Sequence, residues 1–180
     1  MATTSEAVVA GTTRAGKYLT FVLANESYGL EILKVREIIG LMDITAVPRT
    51  PAHVKGVINL RGKVIPVVDL RLKFGMSEAE HTEETCIIVV QVGAIEMGIL
   101  VDKVSEVLNI QAQDIEDAPS FGTEVNTDFI MGMGKANGKV TILLDIAMVL
   151  GSQDLQGIAG TSADMAESDG AQQDRPKGGK

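Results

Sequence analysis

Two stretches of this chain repeat two others, and that repeat limits the fold more than any other feature. "YGLEILKVREII" (28–39) lies over "MGILVDKVSEVL" (97–108), with Gly, Lys, Val and Glu identical at matching places. "GVINLRGKVIPVVDL" (56–70) lies over "GMGKANGKVTILLDI" (132–146), matching at Gly56/Gly132, at Gly62-Lys63-Val64/Gly138-Lys139-Val140 and at Asp69/Asp145. Each copy then runs through a short apolar stretch to a glycine, Gly75 or Gly151. Self-similarity of this kind marks a duplicated structural unit. The two units fall at about 17–83 and 84–150, inside an ordered core of residues 16–151, and the two are free to exchange strands.

The units read as β structure. "YLTFVL", "YGLEI", "VINL", "KVIPVVDL", "TCIIVVQV", "EMGILV" and "KVTILLDI" are short apolar or alternating runs, many of them separated by turn residues. That spacing favours a barrel or a barrel pair over a helical bundle. Pro66 removes a ladder donor from one run, so its strand is expected at an edge or at a bulge. Asp69 and Asp145 read as N-caps of short helical turns that end at the two glycines. Gly56, Gly62, Asp69 and Asp145 are therefore assigned to the scaffold. Residues 1–15 and 152–180 are small and polar without apolar periodicity, and both are expected to be disordered tails.

Composition removes several functional classes. A formal net charge of −8, with only 3% aromatic residues and no Trp, disfavours a nucleic-acid partner. The single Cys86 excludes an intramolecular disulfide and a cysteine-based zinc site, and reads as a buried core thiol. No apolar run approaches the length of a membrane span and the N-terminus has no signal-like segment, so a cytoplasmic protein without membrane insertion is expected. "GMGKANGKV" is not a phosphate-binding loop: Gly134 to Gly138 leaves three residues between the glycines and Gly132 to Gly138 leaves five. Val140 also stands where Ser or Thr is needed. With only His53 and His81, neither a serine triad nor a two-histidine metal site has the groups it needs. Catalysis, a cofactor and a metal are not expected, and binding remains.

Arg61 is the residue left over. It sits at the tip of an apolar hairpin, and its counterpart in the other copy is Asn137, which turns of this kind accept readily. Turn geometry alone does not demand arginine there. A structural ion pair and a contact point for another protein both stay open.

"VKGVINLRGKVIPVVDLR", with "YGLEILKVREI" before it and "MGILVDKVSEVL" after it, resembles the CheW family of chemotaxis coupling proteins over residues 16–150. The module also occurs in the regulatory domain of the histidine kinase CheA and in CheV. The resemblance implies two interlocked five-stranded SH3-like barrels with a few short helices. It implies a non-enzymatic scaffold without cofactor, monomeric when free, joining the CheA regulatory domain to the cytoplasmic tips of methyl-accepting chemoreceptors in membrane-associated arrays. The family's receptor-facing surface maps onto Val35, Glu37, Arg61, Thr85, Gly98 and Val107, with Arg61 expected to pair with Glu37. Core packing for Val35 and Val107, a backbone requirement for Gly98 and a structural role for Glu37 are the alternatives.

"EIIGLMDITAVPRTP" (37–51) is too apolar for an ordinary loop, and its place in the family assigns a kinase contact to Ile39, Leu41, Met42, Ile44 and Val47. Met42, bracketed by Gly40 and Asp43, is the expected exposed member. A small-molecule-binding β-barrel and a coupling protein of a non-chemotaxis receptor pathway are the competing functions.

Overall fold

The computed structural model describes residues 14–119 and 127–151. The chain divides into a unit of residues 1–149 and a C-terminal unit of residues 150–180, of which 150 and 151 are described and are helical. Most of the expected tails lies outside the described residues. At the described end of the N-terminal segment, however, Arg14 is held by Asp117, with Nη1 donating to Oδ1 at 2.6 Å.

The strands are β1 (Gly16–Leu23), β2 (Glu26–Glu31), β3 (Val35–Gly40), β4 (Val54–Leu60), β5 (Lys63–Asp69), β6 (Cys86–Val92), β7 (Ile95–Val101), β8 (Lys103–Ile110), β9 (Ile115–Glu116), β10 (Ile130–Ala136) and β11 (Lys139–Leu144), with a short helix α1 (Leu70–Lys73) and a second helical stretch over residues 146–151. They form two sheets, ordered β8-β1-β2-β11-β10-β9 and β3-β6-β7-β5-β4. The first hairpin of each sequence copy thus lies in the sheet built mainly by the other. β2 joins β11, and β7 joins β5, by short parallel ladders of three residue pairs each. The fold is mostly β and of the interlocked, SH3-like kind.

Equivalent positions do equivalent work. Asp69 Oδ1 accepts from the backbone N–H of Arg71 (2.9 Å) and Leu72 (3.3 Å), and Asp145 Oδ1 accepts from Ala147 (3.1 Å) and Met148 (3.4 Å). The N–H of Asp69 donates to the carbonyl of His53, and that of Asp145 to Phe129, the counterpart of His53. Gly75 and Gly151 both have positive φ, as the end of a helical turn requires. The strand after the 41–47 segment is approached in the same way in both copies. Thr45 bridges Val57 through paired backbone hydrogen bonds of 2.8 and 2.9 Å, and Glu116 of β9 pairs with Met133, the counterpart of Val57.

Gly56 shows why that approach needs a glycine. A Cβ at Gly56 would stand 1.9 Å from the Thr45 carbonyl oxygen, and its φ is +142°. At Gly132 the same atom would meet Ile115 Cγ2 at 2.7 Å and Glu116 O at 3.0 Å.

Pro66 is not at an edge, because β5 is an interior strand between β7 and β4; the ladder it shares with β4 does carry a bulge, between Val54 and Gly56. Val57 gives both its N–H and its carbonyl to Thr45, so its pairing with Pro66 is a non-hydrogen-bonded one. The nitrogen of Pro66 therefore points toward β7, where the ladder begins only at Val67. No bond is lost by having proline there. Cys86 is half-buried rather than fully buried, and burial raises its thiol pKa.

Two features tie the sheets together. Rings of Phe21, Tyr28, Phe74 and Phe129 stack in a row with centroids 5.8, 5.8 and 5.3 Å apart. Asp102, on the crossover from β7 to β8, takes the Arg71 guanidinium in a bidentate pair (Nε to Oδ1, 2.6 Å) and also accepts from the N–H of Ala24, on the β1–β2 turn, at 3.0 Å. These hydrogen bonds, foremost that from Arg71, hold the Asp102 carboxyl below its usual range.

Gly56→Ala should destabilise the fold by roughly 3 kcal/mol or more, since the added methyl overlaps fixed backbone; urea denaturation measures it, and a loss under about 1 kcal/mol would contradict the close approach. Asp102 makes a second prediction. Because its folded pKa is depressed, its contribution is fully present above the unfolded value of about 3.9 and is lost as pH falls through the folded pKa. Asp102→Asn should cost about 1–2 kcal/mol at neutral pH, with the gap to wild type closing below about pH 4. A gap that does not change with pH would contradict this.

Candidate functional site

The candidate site starts from a turn. Arg61 and Gly62 are the two central residues of the β4–β5 hairpin, with φ of +52° and +84°, and Asn137-Gly138 repeats this at +53° and +74°. Positive φ at both positions is the type I′ geometry, which favours Asn-Gly. Asn59 Oδ1 braces the turn by accepting from the N–H of Gly62 at 2.9 Å. Arginine in this conformation costs about 1 kcal/mol that asparagine largely avoids. The turn tolerates Arg61; it does not call for it.

The side chain reaches across an opening. β3 and β4 are the two edges of the five-stranded sheet, and Arg61 Nη2 donates to Glu37 Oε1, joining the β4–β5 tip to β3. Arg61 remains 74% exposed while Glu37 is 29% exposed, so the pair keeps guanidinium donors facing solvent. Beside it, Glu96 accepts Lys63 (3.4 Å) and, more loosely, Arg36 (3.8 Å). This rim therefore carries three cations against two anions on a chain whose net charge is −8. Lys63, Arg36 and Glu96 were not singled out by sequence; Lys63 was hidden because both copies carry lysine at that place.

The six residues of the expected receptor face do not all converge. Glu37 and Gly98 both pair with Val89, and Val35 lies at the head of the same strand as Glu37. Gly98 nevertheless points inward: a Cβ there would meet Ile87 Cγ2 at 2.8 Å and Val67 Cγ2 at 3.3 Å, which makes it a packing requirement. Thr85 is 7% exposed, and its hydroxyl accepts from the Thr82 N–H at 2.8 Å. It precedes β6 by the end that pairs with Gly40, about 14 Å along the strand from the Glu37 row. Val107 is 49% exposed but lies on β8, in the other sheet.

The 39–47 segment also sorts itself. Ile39, Met42 and Ile44 pack on the cluster of Ile58, Ile65, Val67, Ile87, Val89 and Leu100. Met42 is thus half-buried, contrary to expectation. Past Gly40 the chain stays extended, so Met42 and Ile44 share the inward face while Asp43 and Thr45 point out. Leu41 is the exposed member at 40%, Ile38 of β3 is 45% exposed, and Val47 is half-buried.

Among the described residues no group of three or more His, Cys, Asp or Glu side chains is placed to hold a metal ion, and no helix is long and apolar enough to cross a membrane. A duplicated, strand-exchanged β module with a charged, solvent-facing rim is the architecture of a binding scaffold. Comparison with known proteins supplies its family. Residues 17–154 match the model of the CheW-like domain, and the chain belongs to that family. It is 41% identical to the chemotaxis protein CheW of Klebsiella aerogenes over 147 residues, covering 82% of this chain and 89% of the relative. It is 36% identical to CheW of Rhizobium meliloti over 150 residues, covering 79% and 97%. Among solved structures it resembles the scaffolding protein TtCheW of Thermoanaerobacter tengcongensis, with a TM-score of 0.71, 36% identity, and coverage of 78% of this chain and 95% of that one. It is a chemotaxis protein of the scaffold and adaptor class.

The exposed ion pair should matter little to folding, as such pairs contribute about 0–1 kcal/mol. Arg61→Asn relieves the left-handed backbone while losing the pair, so its stability should stay within about 0.5 kcal/mol of wild type. Thermal or urea unfolding decides it. A loss of about 2 kcal/mol or more would make Arg61 a structural residue.

Proposed function

We propose that this protein is a non-enzymatic, cytoplasmic adaptor that couples the tips of methyl-accepting chemoreceptors to the regulatory domain of the histidine kinase CheA in receptor arrays. One observation carries the reading most directly. Arg61 is kept in a conformation that disfavours it, paired on one side with Glu37 and three-quarters open on the other. A side chain so placed contributes little to the fold and suits the recognition of an acidic or polar group on a partner. Val35 and Glu37 lie within the same strand and would complete the receptor contact, with helix packing supplying area and the charged pair fixing register.

The kinase contact is assigned to the edge formed by β3 and the segment after it. Ile38 and Leu41 are exposed there, and Ile39, Met42 and Ile44 support them from the core side. Exposed aliphatic side chains on a well-packed base are the type of patch that a partner covers. The receptor rim and this patch meet on β3, the first using Val35–Glu37 with Arg61 and the second using Ile38 and the segment after the strand, and each is assigned to a different partner.

Titration of the full chain against an isolated kinase regulatory domain and a receptor signalling fragment tests both surfaces. Arg61→Ala should weaken receptor binding by roughly tenfold or more and leave kinase binding intact. Leu41→Glu, which sets an unpaired charge in an apolar contact, should do the reverse by a similar factor. Variants that stay folded and bind both partners like wild type would remove the assignment.

A further inference from the structure

The duplicated fold has two equivalent mouths, and they are built differently. In the five-stranded sheet the mouth is spanned by Arg36, Glu37, Arg61, Lys63 and Glu96 in three ion pairs. Their repeat counterparts are Ser105, Glu106, Asn137, Lys139 and Ser27, and all five line one cavity of about 520 Å³ in the six-stranded sheet. Two arginines and a glutamate have become serine, asparagine and serine on the same backbone template. Asn137 even keeps the left-handed conformation of Arg61, at φ +53° against +52°. Glu106, the counterpart of Glu37, has no ion pair among the described residues, and neither does Lys139.

We propose that this second mouth is a docking site for an arginine side chain of a protein partner, which supplies in trans the guanidinium that Arg61 supplies in cis to the first. Charge favours it: Glu26 and Glu106 line the cavity against a single Lys139. Shape favours it as well. Val22, Leu108 and Val140 line the same cavity and suit the methylene stem of a long cation, while the hydroxyls of Ser27, Ser105 and Thr141 are acceptors for guanidinium N–H groups. The exposed lining is otherwise polar, but Val140 is 54% exposed at the mouth. A protein is the fitting source because burial of that side chain under a partner surface is favourable, whereas a small polar solute would leave it in water. The site is distinct from both surfaces assigned above and does not depend on the coupling role.

The test is amide NMR of the full chain titrated with N-acetyl-arginine amide, whose ends are neutral as in a protein. Saturable, millimolar-range shifts confined to Ser27, Ser105, Asn137 and their neighbours are expected. Glu106→Gln, a change on an exposed side chain that leaves the Glu106 backbone bonds to Thr20 in place, should weaken binding by roughly tenfold or more. Asn137→Arg should fill the mouth from within and abolish the shifts, in a protein that stays folded and melts only slightly below wild type, because arginine is disfavoured in this left-handed conformation. Shifts that are absent, or that persist unchanged in Glu106→Gln, would overturn the proposal. So would free arginine binding much more tightly than the blocked form, since that marks a site for a small metabolite.

Discussion

Neither sequence copy can complete its own sheet, and the rest of the structure depends on that. β5 of the first copy ends against β7 of the second through Val67–Gly98, Val68–Ile99 and Asp69–Leu100; β11 of the second ends against β2 of the first through Ile142–Tyr28, Leu143–Gly29 and Leu144–Leu30. The joints are crowded, which is why glycine recurs there. A Cβ at Gly29 would meet Leu143 Cδ2 at 3.0 Å, and one at Gly98 would meet Ile87 Cγ2 at 2.8 Å. With the joints made, apolar burial can proceed on both sheets at once, so the two halves are bound into one cooperative fold. The aromatic row and the Arg71–Asp102–Ala24 link secure the same exchange from outside the ladders.

A rigid duplicated frame leaves function to the positions where the copies differ. Arg61 and Asn137 occupy the same left-handed slot of the same turn, yet one carries a guanidinium to an acid across the sheet opening and the other leaves an open cavity. Glu37 and Glu106 are the shared acids, closed by arginine in one mouth and open in the other. Packing requirements explain what the copies share. They do not explain the charged rim on the first mouth, and that rim is where an interaction role is best supported.

The frame was largely legible in the sequence because local chemistry repeats: Asp69 and Asp145 cap, Gly75 and Gly151 terminate, and Gly62 and Gly138 turn. What was not legible depends on long-range geometry. Pro66 sits in an interior strand because Thr45 takes the bonds of Val57, a contact that no local pattern announces. Met42 points inward and Leu41 outward because the chain stays extended past Gly40 instead of turning. Within the candidate site, the Arg61–Glu37 pair was readable, whereas the inward direction of Gly98 and the distance of Thr85 from that pair follow from strand register.

The central claim is that this chain physically joins two partners. Co-sedimentation of a chemoreceptor signalling fragment in membranes with kinase CheA, with and without the full chain, tests it most directly. The account predicts that kinase pellets with receptor in proportion to the added protein and stays largely in the supernatant without it. Kinase recovery that is the same in both cases, or a protein that pellets with receptor while leaving kinase behind, would contradict the account.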